Sequence, residues 1–323
     1  MRLATRAKGT PDGQLIVVSA DGARALAATG IAATLQYAVE AWGSVEADLR
    51  RLDARLAAGE GDVLDPADLR APLPRAWQWL DGSAFPTHGD LMQQAFGLPP
   101  IETDKPLMYQ GMSHRFLSGH EDVRLPDEAD GIDFEGEFGI ITDFVPMGTT
   151  AADALKHVRL VILINDWSLR AIAPVEMKTG FGWVQAKPAC SVAPFAVTPD
   201  TLGDAWQDGR VHLPLEVMLN GAWFGHPHGR EMAVGFHDLI AHAARSRDLV
   251  AGTIIGSGTI SNADHASVGS CCISERRAIE MIAQGKPATP FMRFGDRLRM
   301  QALAGGGSPF GSIEQRVVSA RPD

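Results

Sequence analysis

The pattern of apolar and polar positions divides the chain into short strands, a few helices and many turns. Residues 13–18 and 24–28 read as strands around the turn Ala20-Asp21-Gly22. From about Thr34 to Ala58 the apolar spacing is helical: Leu35, Tyr37, Ala38, Ala41 and Trp42, then Val45, Leu49 and Leu52. Residues 62–74 are rich in Pro, Asp and Ala and read as a connection, which places a domain boundary near residue 70. Beyond it, strand patterns are expected at 132–142, 159–165, 193–197, 212–219, 253–260 and 270–274. Helices are expected near 89–96, 151–157, 236–245 and 275–284, with a loop rich in Pro and acids after the first. The expectation is an α+β protein dominated by strands, with a small domain over 1–70 and a larger one over 71–323.

Composition supports this division and narrows the function. The 34 glycines and 20 prolines among 323 residues suit many strands joined by turns. A net charge of −10 with no basic stripe argues against nucleic acid and weakly against an anionic membrane surface. No run approaches the ~18 apolar residues of a membrane span, and the N-terminus lacks an apolar signal core. Cys190, Cys271 and Cys272 have no C-x-x-C spacing, which argues against a zinc site or a disulfide framework. A cytoplasmic location is expected. An anionic substrate would need a metal or local Arg and Lys to hold it.

Three segments could carry chemistry. In Ile132-Asp133-Phe134-Glu135-Gly136-Glu137-Phe138, the period of a strand would point Glu135 and Glu137 to one face. Two like charges in a half-buried strand repel and lose hydration, and a bound cation would remove both penalties. A solvated edge strand is the alternative, and the flanking Phe134, Phe138, Ile140 and Ile141 weigh against it. Asn165-Asp166-Trp167-Ser168-Leu169-Arg170 puts an acid and a base where an apolar strand enters a loop. By itself such a segment is more commonly a capping Asp with a surface Arg. Asp81 follows the aromatic run at 77–80, and His88 lies seven residues later; a lone His is more often structural.

Other pieces are Met108-Tyr109-Gln110-Gly111, Gln185-Ala186-Lys187-Pro188 and Gly256-Ser257-Gly258-Thr259-Ile260-Ser261. Lys187 lies in a nearly uncharged stretch, so it either faces a negative partner or is a surface loop residue. Gly256 and Gly258 do not complete a dinucleotide fingerprint, and Walker A, H-E-x-x-H and G-x-S-x-G sequences are missing. His226-Pro227-His228 reads as a loop.

Taken together, the E-x-E run, N-D-W-S-x-R, the later A-K-P and G-S-G-T-I-S resemble the fumarylacetoacetate hydrolase family in order and spacing, over about residues 72–320. The resemblance implies a mixed β-roll, a small SH3-like N-terminal barrel, and a homodimer. It implies a divalent ion (magnesium, calcium or manganese) on Asp81, Glu135, Glu137 and Asp166, a hard oxygen set that suits those ions. It also implies His88 as catalytic base, Lys187 as oxyanion-stabilising cation, and Tyr109, Arg170 and Thr259 as substrate-binding residues. The implied reaction is metal-dependent cleavage of a carbon–carbon bond in a β-diketo acid, fumarylacetoacetate- or acylpyruvate-like, in aromatic-compound catabolism.

The chain departs from the pattern at several positions. The family's Glu partner of the His maps to Ile273, and Glu275, two residues on, is the expected substitute, on the same face if a strand continues there; a solvated Glu at a helix start is the equal alternative. The oxyanion Gln maps to Ala173, a substrate Tyr to Ser83, and the Glu of the smaller members' His-x-x-Glu dyad to Leu91. These changes leave open hydratase, isomerase or decarboxylase chemistry on a related 2-oxo acid, or a degenerate metal-binding member.

Overall fold

A computed structural model describes residues 1–97, 99, 103–305 and 307–321. Part of the expected Pro- and acid-rich loop, residues 98 and 100–102, lies outside them. The architecture is mixed α+β. At its centre the strands Gly136–Thr142 and Val158–Asn165 pair antiparallel, and almost every residue of both is buried. Their near-continuous apolar composition suits strands covered on both faces. Thr253–Gly256 pairs antiparallel with Gly136–Thr142, then Gln78–Gly82 joins it in parallel, and Met108–Gly111 closes that edge.

On the other side of Val158–Asn165, Ala196–Val197 carries the sheet to Arg2–Arg6, Gln14–Val18, Arg24–Ala27 and Asp62–Val63. The first 70 residues therefore share a sheet with the rest, and their apolar residues (Leu3, Leu15, Trp42, Leu49) pack in one cluster with Trp79, Ile141, Leu160 and Ile254. A closed barrel is absent among the described residues, so the SH3-like form expected for the N-terminal segment is not seen. A second sheet holds Ala222–Gly225, Leu215–Leu219, Arg297–Ala302, Ser312–Ser319 and Val123–Leu125. The two C-terminal strands were not foreseen, although Arg297–Ala302 alternates buried and accessible positions as a half-buried strand should.

Other differences have local causes. The helix expected over 34–58 is two, Leu35–Glu40 and Trp42–Ala57, broken where Ala41 leaves helical geometry. The run at 193–197 keeps only Ala196–Val197, because Pro194 has no N–H to give a ladder. The strand at 253–260 ends at Gly256, and 212–219 begins at Leu215. The helix expected from Gly89 begins at Pro86, whose fixed φ suits a first turn.

Two differences touch the site. The run 132–142 is interrupted: Ile132–Asp133 and Gly136–Thr142 are strands, while Phe134 and Glu135 lie between them. Residues 270–274 are not a strand; Cys272 caps the helix Ile273–Gln284, its Sγ accepting the Glu275 N–H at 3.2 Å. A short apolar run such as Cys271-Cys272-Ile273 cannot distinguish a strand from a buried helix start.

A carboxylate cluster as candidate active site

The sheet register assembles the site. Asp81 stands opposite Tyr109 on one neighbouring strand and Gly256 on the other, and Gly256 stands opposite Gly139 on the strand that carries Glu137. Gly136 pairs with Asn165, so Asp166 begins just past that register. Glu135 does not reach the cluster by strand alternation. Its N–H donates to Asn165 Oδ1 at 3.0 Å and its carbonyl accepts the Asp166 N–H at 2.9 Å, so side-chain pairing replaces the ladder there. The four carboxylates at Asp81, Glu135, Glu137 and Asp166 are all buried and offer oxygens within 4.8 Å of one another.

Gly256 makes this approach possible. A Cβ there would lie 2.6 Å from Asp81 Oδ1, 2.7 Å from Glu137 Oε2 and 2.4 Å from the Trp79 ring. Two side chains from strands on either side of Gly256 meet over it. Gly256→Ala is expected to spread the cluster and destabilise the protein by about 1–3 kcal/mol, as overpacking does. Urea denaturation of the two proteins measures it; unchanged stability and cation affinity would refute the close approach.

Cations meet part of the cluster. The Lys187 ammonium donates to Glu135 Oε2 at 2.7 Å and Asp166 Oδ2 at 2.6 Å, and lies 5.4 Å from the Tyr109 ring centre. Tyr109 donates its hydroxyl to Asp166 Oδ2 at 2.5 Å, and the Cys190 thiol donates to Oδ1 at 3.1 Å. Arg170 donates to Glu135 Oε1 at 2.5 Å and to Asp133 Oδ2 at 2.8 Å. Gly258 gives its N–H to Asp81 Oδ1 at 3.1 Å, and buried Thr259 follows directly.

Glu137 is different: both carboxylate oxygens are buried and, among the described residues, meet no donor other than the Asp81 carboxyl. Burial, then the Asp81 and Asp166 charges, push its carboxyl well above the usual range. Asp81 is pushed up to about 8, mainly by burial and then by Asp166. For Glu135, burial opposes ionisation, but Lys187 and Arg170 outweigh it and hold the carboxyl below its ordinary value. Buried carboxylates that exceed their cations, one of them facing only another carboxyl, fit a hard divalent cation. The four carboxylates named from the sequence are the ones that lie together here.

Beside the cluster, His88 Nδ1 lies 2.9 Å from Glu275 Oε2, and the other Glu275 oxygen accepts the Ser270 hydroxyl at 2.8 Å. His88 sits in the first turn of Pro86–Phe96, Glu275 in the first turn of Ile273–Gln284, and those helices pack together. Glu275 thus reaches His88 from the first turn of the helix expected near 275–284; the strand does not continue to it. The Cys271 carbonyl accepts the Gly136 N–H at 3.1 Å, which sets the start of the Glu275 helix against the run that carries Glu135 and Glu137.

One residue went unnoticed in the sequence. Asp133, fully buried, accepts the N–H groups of Ile273 (2.7 Å) and Ser274 (2.9 Å) as well as Arg170. It ties the helix that carries Glu275 to the Arg170 side of the cluster, and its place in a strand-like run concealed this. His228, from the loop reading, accepts the Arg230 N–H at 3.2 Å and caps a short turn.

With this geometry in hand, comparison with known proteins decides the family. The description "Fumarylacetoacetate (FAA) hydrolase C-terminal" matches residues 78–318, and "Fumarylacetoacetase N-terminal domain 2" matches residues 1–75. The chain belongs to the fumarylacetoacetate hydrolase family. It is 28% identical over 163 residues to a 2,4-didehydro-3-deoxy-L-rhamnonate hydrolase from Sphingomonas sp. (strain SKA58), covering 50% of this chain and 54% of that protein. It is 24% identical over 157 residues to the mitochondrial oxaloacetate tautomerase Fahd2a of Rattus norvegicus, covering 48% of each. The chain spans about half the length of the curated relatives it matches.

In three dimensions it is similar to maleylpyruvate hydrolase from Sphingobium sp. SYK-6, solved with manganese(II) and pyruvate. There the TM-score is 0.68 at 18% identity, with 99% of this chain and 100% of that one covered. That likeness establishes the fold.

Proposed function

We propose that the chain is a metal-dependent hydrolase that cleaves a carbon–carbon bond in a small anionic β-diketo acid, fumarylacetoacetate- or acylpyruvate-like, in the breakdown of aromatic compounds. The observation that carries this reading is the His88–Glu275 pair beside a buried four-carboxylate cluster in which Glu137, among the described residues, meets only another carboxyl. Asp81, Glu135, Glu137 and Asp166 would hold magnesium, manganese or calcium. When bound, the ion supplies Lewis acidity toward the diketo oxygens. The manganese and pyruvate named for the maleylpyruvate hydrolase structure support a 2-oxo acid as the class of ligand.

The side chains then divide the work. His88, its Nδ1 held by Glu275, takes a proton from the attacking water at Nε2, the ring atom with no hydrogen bond among the described residues. Lys187 has three N–H donors and spends two on Glu135 and Asp166, which leaves one for the oxyanion of the substrate. Arg170 binds the protein through Nε and one terminal nitrogen, so its other nitrogen can meet the anionic end of the substrate. Tyr109 and Thr259 line the same region.

A second reading is enol–keto or double-bond isomerisation, hydration or decarboxylation of a related 2-oxo acid. Ala173 in place of the oxyanion Gln favours it, as does the likeness to a protein named as a tautomerase. The decisive assay uses manganese- or magnesium-loaded protein with acylpyruvates, measuring pyruvate release beside loss of enol absorbance. Hydrolysis releases pyruvate in step with the enol signal. Enol loss without pyruvate would replace the hydrolase reading with the second one.

A further inference from the structure

Lys187 is only 9% exposed, yet it enters the cluster from a segment with almost no core of its own. Between the helix Ala173–Thr179 and Ala186 the chain has no regular structure. Val175, Met177, Phe181 and Val184 are exposed, Phe181 to 97% and Val184 to 82%. From 174 to 185 only Glu176 and Trp183 turn inward, Trp183 with its ring edge-on to Tyr109 at 6.2 Å. Gly180 and Gly182 both have left-handed φ (72° and 92°), and they fold the strap back over the helix. That return brings three successive N–H groups to one carboxylate. Val184 and Ala186 donate to Glu176 Oε2 at 3.1 and 3.0 Å, and Gln185 donates to Oε1 at 2.9 Å. On its far side Ala186 is fixed again, its carbonyl accepting the Leu169 N–H at 2.8 Å.

We propose that Glu176 is a positioning residue: by clamping the N–H groups of Val184, Gln185 and Ala186 it fixes the strap that delivers Lys187 into the carboxylate cluster. Apolar packing does little of this, because among the strap's apolar side chains from 174 to 185 only Trp183 turns inward. The three backbone bonds also hold the Glu176 carboxyl below its ordinary value, as a clamp that needs the ionised form requires. The consequence for turnover rests on the hydrolase reading; the clamp itself does not.

The test therefore has two arms on the full-length protein. In the first, lysines are labelled with acetic anhydride and read by mass spectrometry, with exposed Lys156 and Lys286 as references. Glu176→Ala is expected to raise Lys187 labelling by about tenfold or more through local opening of the strap. Glu176→Gln, which keeps one acceptor oxygen but turns an amide toward a backbone N–H, should fall between. Lys187 as protected in Glu176→Ala as in the parent would overturn the clamp. In the second arm Glu176→Ala lowers kcat by roughly 10–100-fold, as misplacement of a catalytic group does, with divalent-cation affinity kept. That loss should vanish in a Lys187→Met background, and a loss that persists there also overturns the proposal. If the parent turns over no diketo acid, the hydrolase reading fails while the labelling still decides the clamp.

Discussion

Asp166→Ala is expected to lower divalent-cation affinity by more than ~100-fold, beyond what changes around a metal's ligands usually cost. Asp166 is completely buried and receives Lys187, Tyr109 and Cys190 at once. Removing it deletes one proposed ligand and releases Tyr109 and Cys190 from the cluster, while Lys187 loses one of its two carboxylates. Its effect on folding should be smaller than a buried ion pair suggests. Breaking such a pair typically costs about 3–5 kcal/mol, but here Lys187 keeps Glu135, and Asp81 and Glu137 lose a repelling neighbour. Asp166→Asn separates the contributions, since it retains an oxygen for the Tyr109 hydroxyl while removing the charge. Titration calorimetry with manganese or magnesium reads the affinity, and urea denaturation reads the stability. Unchanged affinity in Asp166→Ala would remove Asp166 from the ligand set.

The carboxylate cluster was legible in the sequence because its charges stand in apolar surroundings, where an unpaired acid needs a reason. Asp81, Glu135, Glu137 and Asp166 converge as motif order implied. The local argument for Glu135 was nevertheless incomplete. Strand alternation would have placed it, but the ladder breaks at Phe134 and Glu135, and Asn165 repairs the backbone pairing from a strand 30 residues away. Gly256 gave no sequence signal beyond a glycine-rich turn, although its missing Cβ lets two strands bring their acids together.

Residues whose partners are backbone groups were the hardest to read. Asp133 acts on the start of a helix 140 residues away, and Glu176 acts on a loop that returns to it through two glycines. Neither bond leaves a periodicity or a spacing in the chain. The same blindness affected the N-terminal segment. Only the strands near 13–18 and 24–28 were visible; Arg2–Arg6, which carries them into the central sheet through Arg2 and Leu3 opposite Val197 and Ala196, was not. Such long-range pairing is set by tertiary packing, which local pattern does not encode.

His88→Ala is expected to lower kcat by about 10²–10⁴-fold, the usual contribution of a positioned general base, while cation affinity stays within about threefold. The imidazole is held by two linked contacts: Glu275 Oε2 at its Nδ1, and Ser270 on the opposite Glu275 oxygen. Glu275 is fully buried and cannot rotate to water, so the ring presents Nε2 in a fixed direction. Glu275→Gln should cost less, about tenfold, because the amide oxygen can still accept from Nδ1–H while the charge that supports the imidazolium is lost. Cation affinity distinguishes this pair from the cluster, because neither side chain is among the four carboxylates. Loss of turnover with the cation retained places His88 in the proton transfer. A fully active His88→Ala would take it out of the mechanism and shift weight to the second reading, enolate chemistry without a histidine base.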